Sequence, residues 1–156
     1  MGYEQDIRLE HKFAKTIAAI LGAQFFTQSV EADLHEATDF LIFRAEPIKI
    51  GARLRTNRYL AKYKDEFTIR WQRPSGVPTE IDKIREGLVD YIFYGFVDSP
   101  EQHIEHYFIG DLGVFRTNEP DPVAVKWNDP PDSALAAYRV ADLPAEFIVK
   151  RWPNAH

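Results

Sequence analysis

Two hydrophobic periods alternate along this chain, and their order predicts its elements. In "DIRLEHKFAKTIAAILG", Ile7, Phe13 with Ala14, Ile17, and Ile20 with Leu21 recur at helical spacing, so an amphipathic helix carrying Glu10 is expected to run to Gly22. "QFFTQSV" then predicts a short strand, closed by the acidic turn "EADLHEAT". "DFLIF" (39–43) is apolar on both faces, as a central strand should be. After the break at "EP", "IKIGARLR" alternates strictly: Ile48, Ile50, Ala52 and Leu54 share one face, Lys49, Gly51, Arg53 and Arg55 the other. "EFTIRW" alternates too, with Phe67, Ile69 and Trp71 inward and Glu66, Thr68 and Arg70 outward.

A second helix is expected after "RPSGVPTE", where Pro78 and Thr79 suit its start and Glu80 and Asp82 the positive end of its dipole. "YIFYGFV" reads as a buried strand, and "IEHYFIGDLGVFR" as one more with a turn at "GDLG". From Thr117 the chain holds six of its ten prolines. That tail (117–156) predicts an extension packed on the same domain as the 1–116 core, with a short strand near "ALAAYRV" and a turn at "DLPAEFIV". The order of elements is that of an α/β fold with a mixed sheet.

Composition narrows the class. At 156 residues, 45% of them hydrophobic and 28% charged, the chain is long enough to bury one core. The lack of cysteine excludes disulfides, thiolate zinc sites and thiol nucleophiles. No apolar run approaches the roughly 20 residues of a spanning helix and no signal peptide is legible, so a cytoplasmic setting without membrane contact is expected. Serine occurs four times and never as G-x-S-x-G. "GDLG" lacks the spacing of a dinucleotide loop, and "HIEH" would place His103 and His106 on opposite faces of a strand.

The net charge of −5 hides a basic band. Residues 44–73 hold nine basic residues (Arg44, Lys49, Arg53, Arg55, Arg58, Lys62, Lys64, Arg70 and Arg73) against Glu46, Asp65 and Glu66, a charge of +6 that leaves the rest at −11. Such a band is either a phosphate footprint or the solvated face of two strands.

An acid opening a central strand, a turn to a strand with polar groups two apart, and an acid on the preceding helix together resemble the PD-(D/E)XK nuclease superfamily, most closely its Holliday-junction-resolvase-like members. The resemblance spans Glu10 to Arg116 and implies a restriction-endonuclease-like αβββαβ core. "TDFLIF" would be its "PD" strand, "IKIGARLR" its "(D/E)XK" strand, and "EFTIRW", the helix around Lys83 and "YIFYGF" the rest.

It also implies Mg²⁺ held by Glu10, Asp39 and Glu66, with Glu31, Glu36 or Glu80 as other candidate ligands, and a catalytic set of Asp39, Arg53, Arg55 and Lys83. The second strand departs from the family, placing Arg53 where the second acid belongs and Arg55 at the lysine. An arginine there opposes a divalent cation, since a unit charge at about 4 Å is worth roughly 4 kcal/mol at an effective dielectric near 20.

Three expectations follow: a Mg²⁺-dependent endonuclease acting on duplex or branched DNA, a nuclease-derived DNA-binding module without hydrolysis, or a protein-interaction or inhibitor protein. In the first two, Lys49, Arg58, Lys62, Lys64, Arg70 and Arg73 would hold the phosphate backbone, and a homodimer would place two sites on a duplex. Alternatively, Asp39 pairs with Arg53 or Arg55 across the hairpin.

Overall fold

The computed structural model describes residues 3–35, 47–63, 65–129 and 131–154. The opening helical pattern becomes α1 (Tyr3–Lys12) and α2 (Ala14–His35). The helical ladder crosses their junction, with Phe13 N–H donating to Leu9 O (3.0 Å) and Ile17 N–H to Phe13 O (2.9 Å). Leu9, Phe13 and Ile17 therefore form one buried stripe.

The strand predicted at "QFFTQSV" is replaced by helix, because residues 24–30 belong to α2. Gly22 does not stop it. A lone glycine costs a helix only about 1 kcal/mol relative to alanine, and the four-residue step from Leu21 to Phe25 keeps the apolar face going. The Phe25 ring lies 4.8 Å from that of Tyr91. The segment "DFLIF", with Asp39, lies outside the described residues.

Among the described residues the strands are β1 (Ile50–Thr56), β2 (Glu66–Gln72), β3 (Tyr91–Val97), β4 (Ile104–Asp111), β5 (Ala124–Trp127), β6 (Ala134–Arg139) and β7 (Ile148–Trp152). They make two sheets. A mixed four-stranded sheet runs β1-β3-β4-β7, with β1 parallel to β3 and the other pairs antiparallel, and an antiparallel one runs β2-β6-β5. The mixed α/β class thus holds. β1 and β2, adjacent in sequence, lie in different sheets. Between them come a 3-10 turn (Asn57–Tyr59) and the short helix α3 (Leu60–Tyr63).

The remaining helices are α4 (Glu80–Arg85) and α5 (Leu112–Asn118). α4 starts where expected, with Asp82 Oδ2 accepting from the Thr79 backbone N–H at 2.8 Å. The turn expected at "GDLG" is instead a helix start. Asp111 Oδ1 accepts from Gly113 N–H (2.8 Å) and Val114 N–H (3.3 Å), so β4 passes directly into α5. The proline-rich tail supplies β5, β6 and β7, and so adds strands to both sheets.

Alternation along β1 and β3 builds two cores on opposite faces of the mixed sheet. Leu54, Phe93, Val97 and Ile109 pack with Leu9, Phe13 and Ile17 on the helical side. On the other side Ile92, Tyr94, Phe96 and Phe108 meet Phe67 and Ile69 of β2, Ala136 and Tyr138 of β6, and the buried faces of α4 and α5. Gly110 is required there, since a Cβ would approach Phe147 Cζ to 2.5 Å. Burial pushes the Tyr138 phenol up to about 12, so it stays neutral. Among the described residues no helix is long and apolar enough to cross a membrane.

Phe67 is the hub of the second core, with ring centroids 5.3 Å from Phe147, 5.7 Å from Tyr138 and Phe108, and 6.2 Å from Phe115. Phe67→Ala should cost about 3–5 kcal/mol in urea-induced unfolding; a loss below about 1 kcal/mol would show that the two sheets do not share this core.

Candidate functional site

The strict alternation of β1 decides where its arginines go. With Leu54 turned to α1, Arg53 and Arg55 must face β2 and α4. Arg53 is only 7% exposed. Its Nη2 donates to Glu80 Oε2 at 2.8 Å and its Nη1 to Thr68 Oγ1 at 3.2 Å. The same Glu80 oxygen accepts the Arg70 backbone N–H at 3.2 Å. A buried guanidinium is tolerable only when answered this way, because an unpaired one costs several kcal/mol.

Arg55 shares the same hydroxyl, its Nη2 donating to Thr68 Oγ1 at 2.8 Å. With both Thr68 lone pairs engaged by guanidinium N–H groups, its own proton is left for Tyr94 Oη at 3.4 Å. Arg55 Nε is buried with no hydrogen-bond partner among the described residues. The Arg55 guanidinium also lies 5.9 Å from the Tyr59 ring centroid.

Beyond Thr68 opens a cleft of about 340 Å³. Its floor is a row of short side chains across the second sheet, where Thr68 pairs with Ala137 and Ala137 with Ala124. Small residues at three successive strands leave the concavity. Tyr59, Tyr63 and Trp127 supply aromatic lining, Arg55 and Lys126 cations, and Glu66, Asn128 and Asp129 acceptors. Of these lining rings, Tyr59 has the Arg58 guanidinium 4.9 Å away and Tyr63 has Lys62 Nζ 5.0 Å away. A hydrogen bond with the Tyr63 side chain raises the Lys62 pKa above its ordinary value, so Lys62 stays cationic.

The expected site residues are divided by the fold. Arg55 and Glu66 line the cleft, and Arg58 and Lys62 lie against Tyr59 and Tyr63, which line it too. Arg53 is committed to Glu80 and Thr68. Lys49 precedes β1, its backbone N–H bound to Asp90 Oδ2 at 2.9 Å. Six residues of extended chain put it about 20 Å from Arg55. Lys83 is exposed on α4 and does not line the cleft. Arg70 acts on Asp132, whose carboxyl is held below its ordinary range chiefly by the Asn128 hydrogen bond, with Ser133 and the Arg70 charge adding to it against a smaller opposing effect of desolvation. Arg73 is half-buried just beyond β2. Asp39 and Lys64 lie outside the described residues.

The acids expected to hold Mg²⁺ do not meet among the described residues. Glu10 is carried by α1, whose Leu9 packs on the helical face of the mixed sheet, whereas Glu66 lines the cleft on the other face. Glu80 already answers Arg53. No group of three His, Asp or Glu side chains suited to a metal occurs among the described residues.

Lys126, Trp127 and Asn128 were not expected, because proline density made their segment read as a wrapping tail. The signal for them was "VAVKW", an alternating run ending in a Lys-Trp pair. Comparison with protein-family models, curated proteins and solved structures returns no match.

Thr68→Val keeps the shape but removes the acceptor shared by two guanidinium groups and the donor to Tyr94. It should lower unfolding stability by on the order of 1–3 kcal/mol; an unchanged midpoint would mean that the two arginines are satisfied without Thr68.

Proposed function

We propose that the chain binds nucleic acid along the β1–α3 edge and in the adjoining cleft, gripping phosphate with fixed cations. The observation that carries this reading is the grouping of Arg55, Arg58, Lys62 and Lys126 with Tyr59, Tyr63 and Trp127 around one concave surface. Cationic and aromatic side chains interleaved in this way suit phosphates and base faces together. Two of these cations, Arg58 and Lys62, are exposed. The commitment of Glu80 to Arg53, and the separation of Glu10 from Glu66 by the sheet, favour binding without hydrolysis over the endonuclease reading.

The test is a salt titration of a labelled oligonucleotide, comparing the parent chain with Arg58→Ala/Lys62→Ala. Affinity should fall as salt rises, and the log–log slope of the variant should be shallower by about 0.7 for each phosphate that it no longer neutralises. Identical slopes would remove the α3 edge from the interface; no binding at low salt would remove the proposal.

A further inference from the structure

Resting on that reading, we infer that the cleft takes an unstacked base, so that the preferred ligand is a single strand and not a duplex. The lining of the cleft is mixed in charge. A surface built only for phosphate has no use for acids, yet Glu66 and Asp129 stand in this cleft beside Arg55 and Lys126. A phosphate alone would meet two carboxylates there. A nucleotide resolves the conflict, because the exocyclic N–H groups of a base donate to carboxylate or amide oxygens while its phosphate is drawn to the cations.

Asn128 is fixed for the same task. Its amide nitrogen donates to Asp132 Oδ1 (3.2 Å) and Ser133 Oγ (3.0 Å), which leaves its carbonyl oxygen to accept.

Shape agrees with chemistry. The short side chains of Thr68, Ala137 and Ala124 leave depth for a flat group, and the Tyr63 and Trp127 rings line the same cleft. Trp127 is 48% exposed, so its indole is accessible to a ligand in the cleft. At about 340 Å³ the cleft sits at the lower end of the roughly 300–1,000 Å³ typical of small-ligand sites. That suits one nucleotide. A duplex keeps its bases in the stack, where the cleft cannot reach them.

The experiment compares three probes on the unaltered chain by fluorescence anisotropy at low salt: a labelled single-stranded DNA 12-mer, its duplex, and an abasic strand of equal length. The native single strand should bind about tenfold more tightly than the abasic strand, in keeping with base–aromatic stacking, and more tightly than the duplex. Trp127→Ala should erase most of that margin between native and abasic strands. Equal affinity for native and abasic strands, or preference for the duplex, overturns the inference while nucleic-acid binding itself stands. Failure of all three probes to bind overturns the reading on which it rests.

Discussion

Arg53 carries a charge into the space between the two sheets, and its surroundings are arranged to answer it. Glu80 must stand at the first turn of α4, and Thr68 must occupy the position on β2 that faces β1. The arrangement pins register as well as position. A slip of β2 by one residue would present Phe67 or Ile69 to the guanidinium and turn two fully buried side chains out of the aromatic core. The ion pair and the Phe67 core therefore favour the same alignment of β2. Swapping such a buried pair for apolar residues of equal volume can be neutral in energy, so its worth here is in specifying one packing.

Much of this was legible in strand alternation. The facing of Leu54 against Arg53 and Arg55, and of Phe67 and Ile69 against Glu66, Thr68 and Arg70, follows from the period of two. The partner of Arg53 was not legible. Glu80 lies 27 residues further on, on a helix whose docking depends on the tertiary fold, whereas the resemblance directed attention to Asp39. The misreading of residues 24–30 has a local cause, since "QFFTQSV" is rich enough in aromatic and β-branched residues to suit a strand, and only continuity with Leu21 and Phe25 reveals the helix. Prolines hid Lys126 and Trp127, although those prolines only bracket an edge strand.

The fold also breaks up the +6 band. Arg53 is committed inside, Lys49 precedes β1 at the end away from Arg55, and the Arg70 charge acts on Asp132. What remains near the cleft is a small set, Arg55, Arg58 and Lys62, joined by Lys126 from a strand that sequence order places far away. With two carboxylates among them, the field is modest. Aromatic surface and hydrogen-bond acceptors must then carry recognition that charge alone does not.

Two arginines two residues apart share Thr68, but Arg53 is also paired with Glu80 while Arg55 lines the cleft, and the proposal gives the first a structural role and the second a binding one. Measuring unfolding midpoint and single-strand affinity for Arg53→Met and Arg55→Met tests this division most directly. Arg53→Met should lower the midpoint markedly, leaving Glu80 without its cation. Arg55→Met should leave the midpoint nearly unchanged, since it also removes a buried Nε that has no partner among the described residues, and should weaken binding about tenfold, the value of roughly 1.4 kcal/mol. A stable Arg53→Met chain that no longer binds, or an Arg55→Met chain that binds like the parent, would contradict it.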